Sequence, residues 1–244
     1  MAQDVIIACD FASEQAVFEF LGAFESLERK PYVKVGMELY YAAGPGIVRE
    51  LKARGYRVFL DLKLHDIPTT VGKAARVLGA LGADIINVHA AGGAAMMRAA
   101  VEGAAAGAAE AGARVPLVIA VTQLTSTDAA MLHDELLIEA PLADVVCAYA
   151  RNAAAAGCGG VVCSAQEAAL IHEACGGGFL TVCPGVRLAE AVAAGTVQDQ
   201  KRVMTPAAAR DAGADFIVVG RPITQAADPV ATYLSVLADF TGEP

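Results

Sequence analysis

The residues best placed to do chemistry lie in Asp61-Leu62-Lys63-Leu64-His65-Asp66, where a carboxylate and an ammonium stand two positions apart at the end of an apolar run. Strand side chains alternate, so positions 61 and 63 share a face. If that face lines an interior, Lys34 of Tyr32-Val33-Lys34-Val35-Gly36 can join them from an adjacent strand, and Asp66 follows three residues on in the loop. Two lysines and two aspartates then alternate in a small volume. Such a group costs stability unless its charges are paired and used. An ammonium fixed there can stabilise a developing anion and supply a proton. The chain has only six lysines, and two of them sit inside apolar runs. Ordinary ion pairs with the lysine stems lying along apolar surface are the structural alternative. A metal site on Asp61 and Asp66 is a third reading, but Lys63 between them competes with a cation for the same oxygens.

Elements must hold these groups in place. Eight short apolar runs recur about 20 to 40 residues apart: Val5–Cys9, Tyr32–Val35, Arg57–Leu62, Ile85–His89, Leu117–Val121, Gly160–Cys163, Leu180–Cys183 and Phe216–Val219. Ala-, Leu-, Glu- and Arg-rich stretches between them read as helices: Ser13–Leu27, Gly44–Arg54, Thr69–Leu81, Ala94–Ala111, Leu142–Ala156, Ala165–Ala174 and Thr205–Ala212, with Asp228–Phe240 closing the chain. Ser13 is placed to cap the first helix, and Asp66 precedes Pro68 at the start of the third. Gly-Ala-Asp introduces a strand twice, at 82–84 and 213–215, which fits a helix C-cap turning into a strand. Eight β-then-α units without a break in composition predict an α/β fold, a single-domain (β/α)8 barrel over residues 1–244. A doubly wound open sheet is the other possibility, and the first strand lacks the Gly-x-Gly-x-x-Gly that would support it.

In such a barrel the active site lies at the C-terminal ends of the strands. Asp10 follows the first strand, Asn87 and His89 end the fourth, Thr122 to Ser126 follow the fifth, Pro184-Gly185-Val186-Arg187 follows the seventh, and Gly220-Arg221 follows the eighth. Loops after strands seven and eight often cradle phosphate, and Arg221 can add a bidentate contact. The long stretch from Arg187 to Thr205 reads as a lid over a ligand, or as a surface excursion with a short helix at Leu188–Ala194.

Of the 244 residues, 56% are hydrophobic and 18% charged, which supplies a large core and excludes disorder. There is no Trp, aromatics are 6%, and the net charge is −9. These values argue against nucleic-acid and anionic-membrane binding. The N-terminus has no basic region and no apolar run of signal-peptide length before Asp10, and no stretch approaches about 18 uninterrupted apolar residues, so the chain is expected to be soluble and cytoplasmic. The six cysteines form no Cys-x-x-Cys pair and read as buried free thiols.

The blocks Ile7-Ala8-Cys9-Asp10-Phe11, Val33-Lys34-Val35-Gly36, Asp61 through Thr70, Asn87-Val88-His89-Ala90, Val121 through Ser126, Pro184 through Arg187, Asp199-Gln200-Lys201-Arg202 and Val219 through Ile223 together resemble the bacterial orotidine 5′-phosphate decarboxylases. The resemblance covers essentially the whole chain. It implies a (β/α)8 barrel and a homodimer that converts orotidine 5′-monophosphate to UMP and carbon dioxide, in the last step of pyrimidine nucleotide synthesis, with no cofactor and no metal. By the same resemblance, Asp10 holds ribose hydroxyls, and Lys34, Asp61 and Lys63 form a charged array completed by Asp66 of a second subunit. Lys63 stabilises and protonates the C6 carbanion. Ile67 and Thr70 also reach across the interface, Thr125 meets the pyrimidine, and Pro184 lines the site. Arg187, Gln200, Gly220 and Arg221 bind phosphate. Thr122 and Gln198 are the alternatives to Thr125 and Gln200. Magnesium-dependent sugar-phosphate enzymes, 3-keto-L-gulonate 6-phosphate decarboxylase or hexulose-phosphate synthase, share the Asp-x-Lys-x-x-Asp block and are the first competing reading. A phosphate-ligand binding protein without catalysis is the second.

Overall fold

A computed structural model describes residues 3–188 and 204–243. Eight parallel strands close in sequence order: β1 (Asp4–Ala8), β2 (Tyr32–Gly36), β3 (Arg57–Leu64), β4 (Ile85–His89), β5 (Leu117–Val121), β6 (Gly160–Val162), β7 (Leu180–Cys183) and β8 (Phe216–Val219), with β8 paired to β1. Among the described residues the α-helices are α1 (Glu14–Gly22), α2 (Met37–Ala43), α3 (Gly46–Ala53), α4 (Pro68–Gly79), α5 (Gly93–Ala111), α6 (Leu142–Ala155), α7 (Ala168–Cys175), α8 (Pro206–Asp211), α9 (Arg221–Thr224) and α10 (Pro229–Thr241). This is the expected (β/α)8 barrel.

Alternation along each strand divides the core in two. Val5, Ile7, Val33, Val35, Val58 and Leu60 face outward into the layer shared with the helices. Ile6, Ala8, Tyr32, Phe59, Ile85, Ile119, Val182, Phe216 and Val218 fill the barrel interior. The next inward positions up β2, β3 and β4 are Lys34, Asp61 and Asn87, all buried. The apolar interior therefore ends in a polar layer at the C-terminal mouth. At the opposite end, buried Asp4 accepts from both Arg29 and Arg57, and Arg57 lies over the Tyr32 ring.

Ser13 caps α1 by accepting from the Ala16 N–H, as its position predicts. The two Gly-Ala-Asp repeats turn at Gly82 and Gly213, with φ of 79° and 84°. Each repeat's aspartate then ties down the preceding strand. Asp84 Oδ2 accepts from Val58 N at 2.7 Å, and Asp215 Oδ2 from Thr181 N at 2.8 Å.

Helices α4 and α5 touch backbone to backbone. A Cβ on Gly103 would stand 2.1 Å from Gly72 O, one on Gly79 2.2 Å from Ala104 O, and one on Gly107 1.8 Å from Arg76 O. Glycine inside a helix costs about 1 kcal/mol relative to alanine, and this close crossing is the compensating contact.

Several boundaries differ from the sequence reading. Helix α1 stops at Gly22, and a tight turn follows in which Phe24 N donates to Leu21 O. Helix α2 starts directly at the end of β2 and was not expected. The stretch at 165–174 opens with a 3-10 turn, Ala165–Glu167, fixed by a Ser164–Glu167 capping box, before α7 begins. No two of the six cysteines are joined in a disulfide, and Cys9, Cys158, Cys163 and Cys183 are buried. Among the described residues no helix is long and apolar enough to cross a membrane.

Candidate active site

A cavity of about 370 Å³ opens at the C-terminal ends of the strands. Ala8, Phe59, Val121, Val162 and Val218 form its apolar floor. Asp10, Lys34, Asp61 and Lys63 line one side, and Pro184, Gly185, Arg187, Gly220 and Arg221 line another, with Gln123 to Ser126 between.

The charges form a chain of alternating sign. Lys34 Nζ lies 2.8 Å from Asp10 Oδ1 and 3.3 Å from Asp61 Oδ2. Lys63 Nζ lies 2.6 Å from Asp61 Oδ1, which also accepts from Asn87 Nδ2 at 2.7 Å. The order Asp10–Lys34–Asp61–Lys63 is neutral within one chain. The fourth charge beside Lys34, Asp61 and Lys63 is thus Asp10, where the strand spacing had suggested Asp66. The loop places Asp66 in solvent, with its carboxylate accepting from Ile67 N at 2.6 Å. Ile67 and Thr70 are exposed as well, and none of the three lines the cavity of its own chain.

Burial alone would push the Asp61 carboxyl up. The charges of Lys34 and then Lys63, with hydrogen bonds from Lys63 and Asn87, outweigh it and hold Asp61 below its ordinary value. Burial pulls Lys34 down, but Asp61 and Asp10 outweigh it and hold its ammonium above the ordinary value. Both groups therefore stay ionised at neutral pH. Cys9 lies close by, yet burial pushes its thiol up to about 12, so it supplies no thiolate nucleophile. His89 is held below its usual value by burial, then by His65 and Lys63; the two imidazole rings lie 5.4 Å apart.

Local sequence explains these placements. Gly36 leaves room for the first ion pair, since a Cβ there would stand 2.8 Å from Asp10 Oδ1 and 3.1 Å from Lys34 Nζ. Thr125 lines the cavity, whereas the Thr122 hydroxyl is buried and donates to Val162 O at 3.1 Å. Arg187 is fixed at the base of its loop: its backbone N donates to Met204 O at 3.0 Å, and Nη1 donates to Val186 O. Gly220 leads into the short helix α9, which begins at Arg221. Gln200 and the rest of the expected lid, including the short helix at 188–194, lie outside the described residues. Among the described residues no three His, Cys, Asp or Glu side chains gather as a metal cluster.

The sequence reading gave no role to Gly36, Gln123, Ser126 or Asn87. Strand alternation carried a signal for Asn87, which shares the inward face of β4 with Ile85 and His89.

Fold and site together define a (β/α)8-barrel enzyme whose pocket sets two ammonium groups against two carboxylates. The family model for orotidine 5′-phosphate decarboxylases and the HUMPS proteins matches residues 3–236, and the chain belongs to that family. It is 54% identical over 237 residues to the orotidine 5′-phosphate decarboxylase of Geobacillus thermodenitrificans, covering 97% of this chain and 96% of that one. It is 49% identical over 241 residues to the enzyme of that name from Lactiplantibacillus plantarum, covering 99% and 100%. The crystal structure of orotidine 5′-phosphate decarboxylase from Lactobacillus acidophilus superposes with a TM-score of 0.83 at 40% identity, covering 98% of this chain and 99% of that one.

Proposed function

We propose that this chain decarboxylates orotidine 5′-monophosphate to UMP and carbon dioxide, with Lys63 as the proton donor. The observation that carries the reading is the Asp10–Lys34–Asp61–Lys63 chain at the cavity mouth. The C6–carboxylate bond breaks with its electron pair left on C6, in the plane of the ring, where the ring cannot delocalise it as an enolate. An ammonium fixed beside C6 stabilises that pair and then protonates it. The resulting amine takes a proton back from solvent. Asp61 holds the Lys63 ammonium in place from 2.6 Å and sets a negative charge where the departing carboxylate sits.

The remaining roles follow the cavity walls. Asp10 is more than half exposed and faces the ribose hydroxyls. Thr125 meets the pyrimidine, Pro184 lines the site, and Arg187, Gly220 and Arg221 take the phosphate, whose binding energy is used at the transition state. Asp66, Ile67 and Thr70 are solvent-facing in one chain, which suits groups delivered to the cavity of a second copy, so the enzyme acts as a homodimer. A phosphorylated nucleotide substrate supports a cytoplasmic location. The names of the relatives favour this reading over the magnesium-dependent sugar-phosphate enzymes.

The test is the absorbance change of orotidine 5′-monophosphate with and without EDTA, for the wild type and Lys63→Ala. The expected result is turnover indifferent to EDTA, and a Lys63→Ala protein that binds UMP but loses nearly all kcat. A folded wild type without turnover, turnover abolished by EDTA, or a Lys63→Ala protein with near-normal kcat overturns the proposal.

A further inference from the structure

We infer that Asn87 is a positioning residue that holds Lys63 and Asp61 in register for the decarboxylation proposed above, on which the inference rests. Asn87 is 1% exposed. Its two amide atoms are used on two different partners of the same strand. Oδ1 accepts from the Lys63 backbone N at 2.8 Å, and Nδ2 donates to Asp61 Oδ1 at 2.7 Å. The orientation of the amide follows from chemistry, since a carboxylate only accepts and a backbone N–H only donates.

Strand β3 needs such a clamp at this point. Leu60 pairs with Ile86, but the next pair is Leu64 with Val88, so four residues of β3 run against two of β4. Lys63 sits inside that bulge with φ of 52°, a left-handed conformation that lysine rarely adopts. Asn87 accepts from the Lys63 N–H that the irregular stretch presents to the interior. Strain of this kind persists only where the surroundings fix it, and here one side chain fixes the backbone of Lys63 and the carboxylate that grips its ammonium. Removing that side chain takes the acceptor from the Lys63 N–H and leaves Asp61 Oδ1 with Lys63 Nζ alone of its two donors.

The inference separates substitutions that look alike. Leucine at 87 is similar in size but offers neither contact. Aspartate keeps the shape, but its ionised form places a second carboxylate against Asp61. Protonated, it restores both contacts: C=O accepts from Lys63 N, and O–H donates to Asp61. The titratable groups around position 87 are Asp61 and Lys63 on β3, Lys34 on β2 behind Asp61, His89 on β4, and His65 beside His89. Like charges that share a site raise one pKa strongly, so Asp at 87 should gain its proton within reach of mildly acid buffer.

Kinetics of wild type, Asn87→Leu and Asn87→Asp from pH 5 to 8 test this, with UMP binding and thermal melting measured on the same samples. Misplacement by about 1 Å is enough for roughly a 100-fold loss. Asn87→Leu should lose about that factor in kcat at every pH, with KM and UMP affinity within about threefold of wild type, because the phosphate and ribose contacts lie elsewhere. Asn87→Asp should be equally poor at pH 8 and recover at least tenfold relative to wild type as pH falls. Near-normal kcat in Asn87→Leu, equal losses in kcat and UMP affinity, or no acid recovery in Asn87→Asp overturns the inference while leaving the activity standing. A wild type without turnover overturns the activity itself. The clamp is then scored by melting alone, where the Asn87→Asp deficit should shrink toward acid pH, and a deficit that does not shrink overturns it. If Asn87→Leu fails to fold, the Asn87→Asp profile decides.

Discussion

Replacing Gly36 by alanine should weaken ligand binding while leaving the fold as stable as before or slightly more so. The backbone at Gly36, φ −86° and ψ −179°, is open to any residue. Removing a glycine restricts the unfolded chain, which favours the fold by about 0.4–1 kcal/mol. The added Cβ would meet Asp10 Oδ1 at 2.8 Å and Lys34 Nζ at 3.1 Å. Asp10 is the freer of the two, with a side chain 56% exposed against 11% for Lys34, so Asp10 is the group that moves. Swinging it outward breaks the 2.8 Å ion pair. Lys34 keeps Asp61 at 3.3 Å, so losing its more exposed partner leaves no unpaired buried charge, and a cost of about 1 kcal/mol is roughly offset by the entropic gain. Binding is another matter. If Asp10 accepts from ribose hydroxyls, each such charged hydrogen bond is worth about 1.5–3 kcal/mol. That corresponds to a rise of roughly 10- to 100-fold in KM and in the Kd for UMP. The kcat value should fall much less, because Asp61 still holds Lys63. Calorimetric titration with UMP, steady-state kinetics and urea unfolding on the same preparation would measure all three quantities. If Asp10→Ala weakens UMP binding and Gly36→Ala does not, the steric argument is refuted.

Gly107→Ala should destabilise the protein by up to about 2 kcal/mol in urea, because overpacking against Arg76 O costs about 1–3 kcal/mol against a helix-propensity gain of about 1 kcal/mol. Gly22→Ala, with nothing within 4 Å of the new Cβ, should instead stabilise it, and the same sign for both variants would refute the close-crossing argument. Stability should fall with acid in two stages. His89 is held below 6.5, so the unfolded chain takes the proton first and stability declines as pH drops below that value; the decline should be smaller in His89→Gln by urea midpoints from pH 7.5 to 5. Asp61 is held below 3.8, so its contribution is present above that value and is lost only as pH falls further, through its lowered folded value. Finally, Lys63→Ala and Asp66→Ala chains, each inactive alone, should recover about a quarter of wild-type activity when mixed and refolded together, since half the dimers are hybrids with one intact site; no recovery would place Asp66 in its own chain's site or outside any site.

The strands were legible because short apolar runs, many of them rich in Val and Ile, recur between the Ala-rich stretches. The limits of β4, β5, β7 and β8 match the apolar runs residue for residue. Helix α2 was not legible, because it follows β2 with no connecting loop and Gly36 offers no side-chain cap. The Asp-x-Lys spacing carried the pairing of Asp61 with Lys63, and Lys34 followed from strand adjacency. Asp10 entered as a residue just past the first strand, but its role as Lys34's partner depends on β1 lying directly beside β2 and on the open space at Gly36. The spacing of Asp66 after Lys63 did not reveal that its carboxylate stands in solvent away from its own chain's cavity, since the course of the loop decides that. The β3 bulge was invisible, because nothing in Asp61-Leu62-Lys63 departs from a regular alternation.

The glycine contacts between α4 and α5 bear on the homodimer proposed above. Ile67 and Thr70 stand at the root of α4, and Asp66 immediately precedes them. With its carbonyls seated against α5, that helix has no room to roll or slide, so its first turn is presented in one orientation before any second copy arrives. Docking such a surface sacrifices little conformational freedom, so more of the contact energy between two copies remains as affinity.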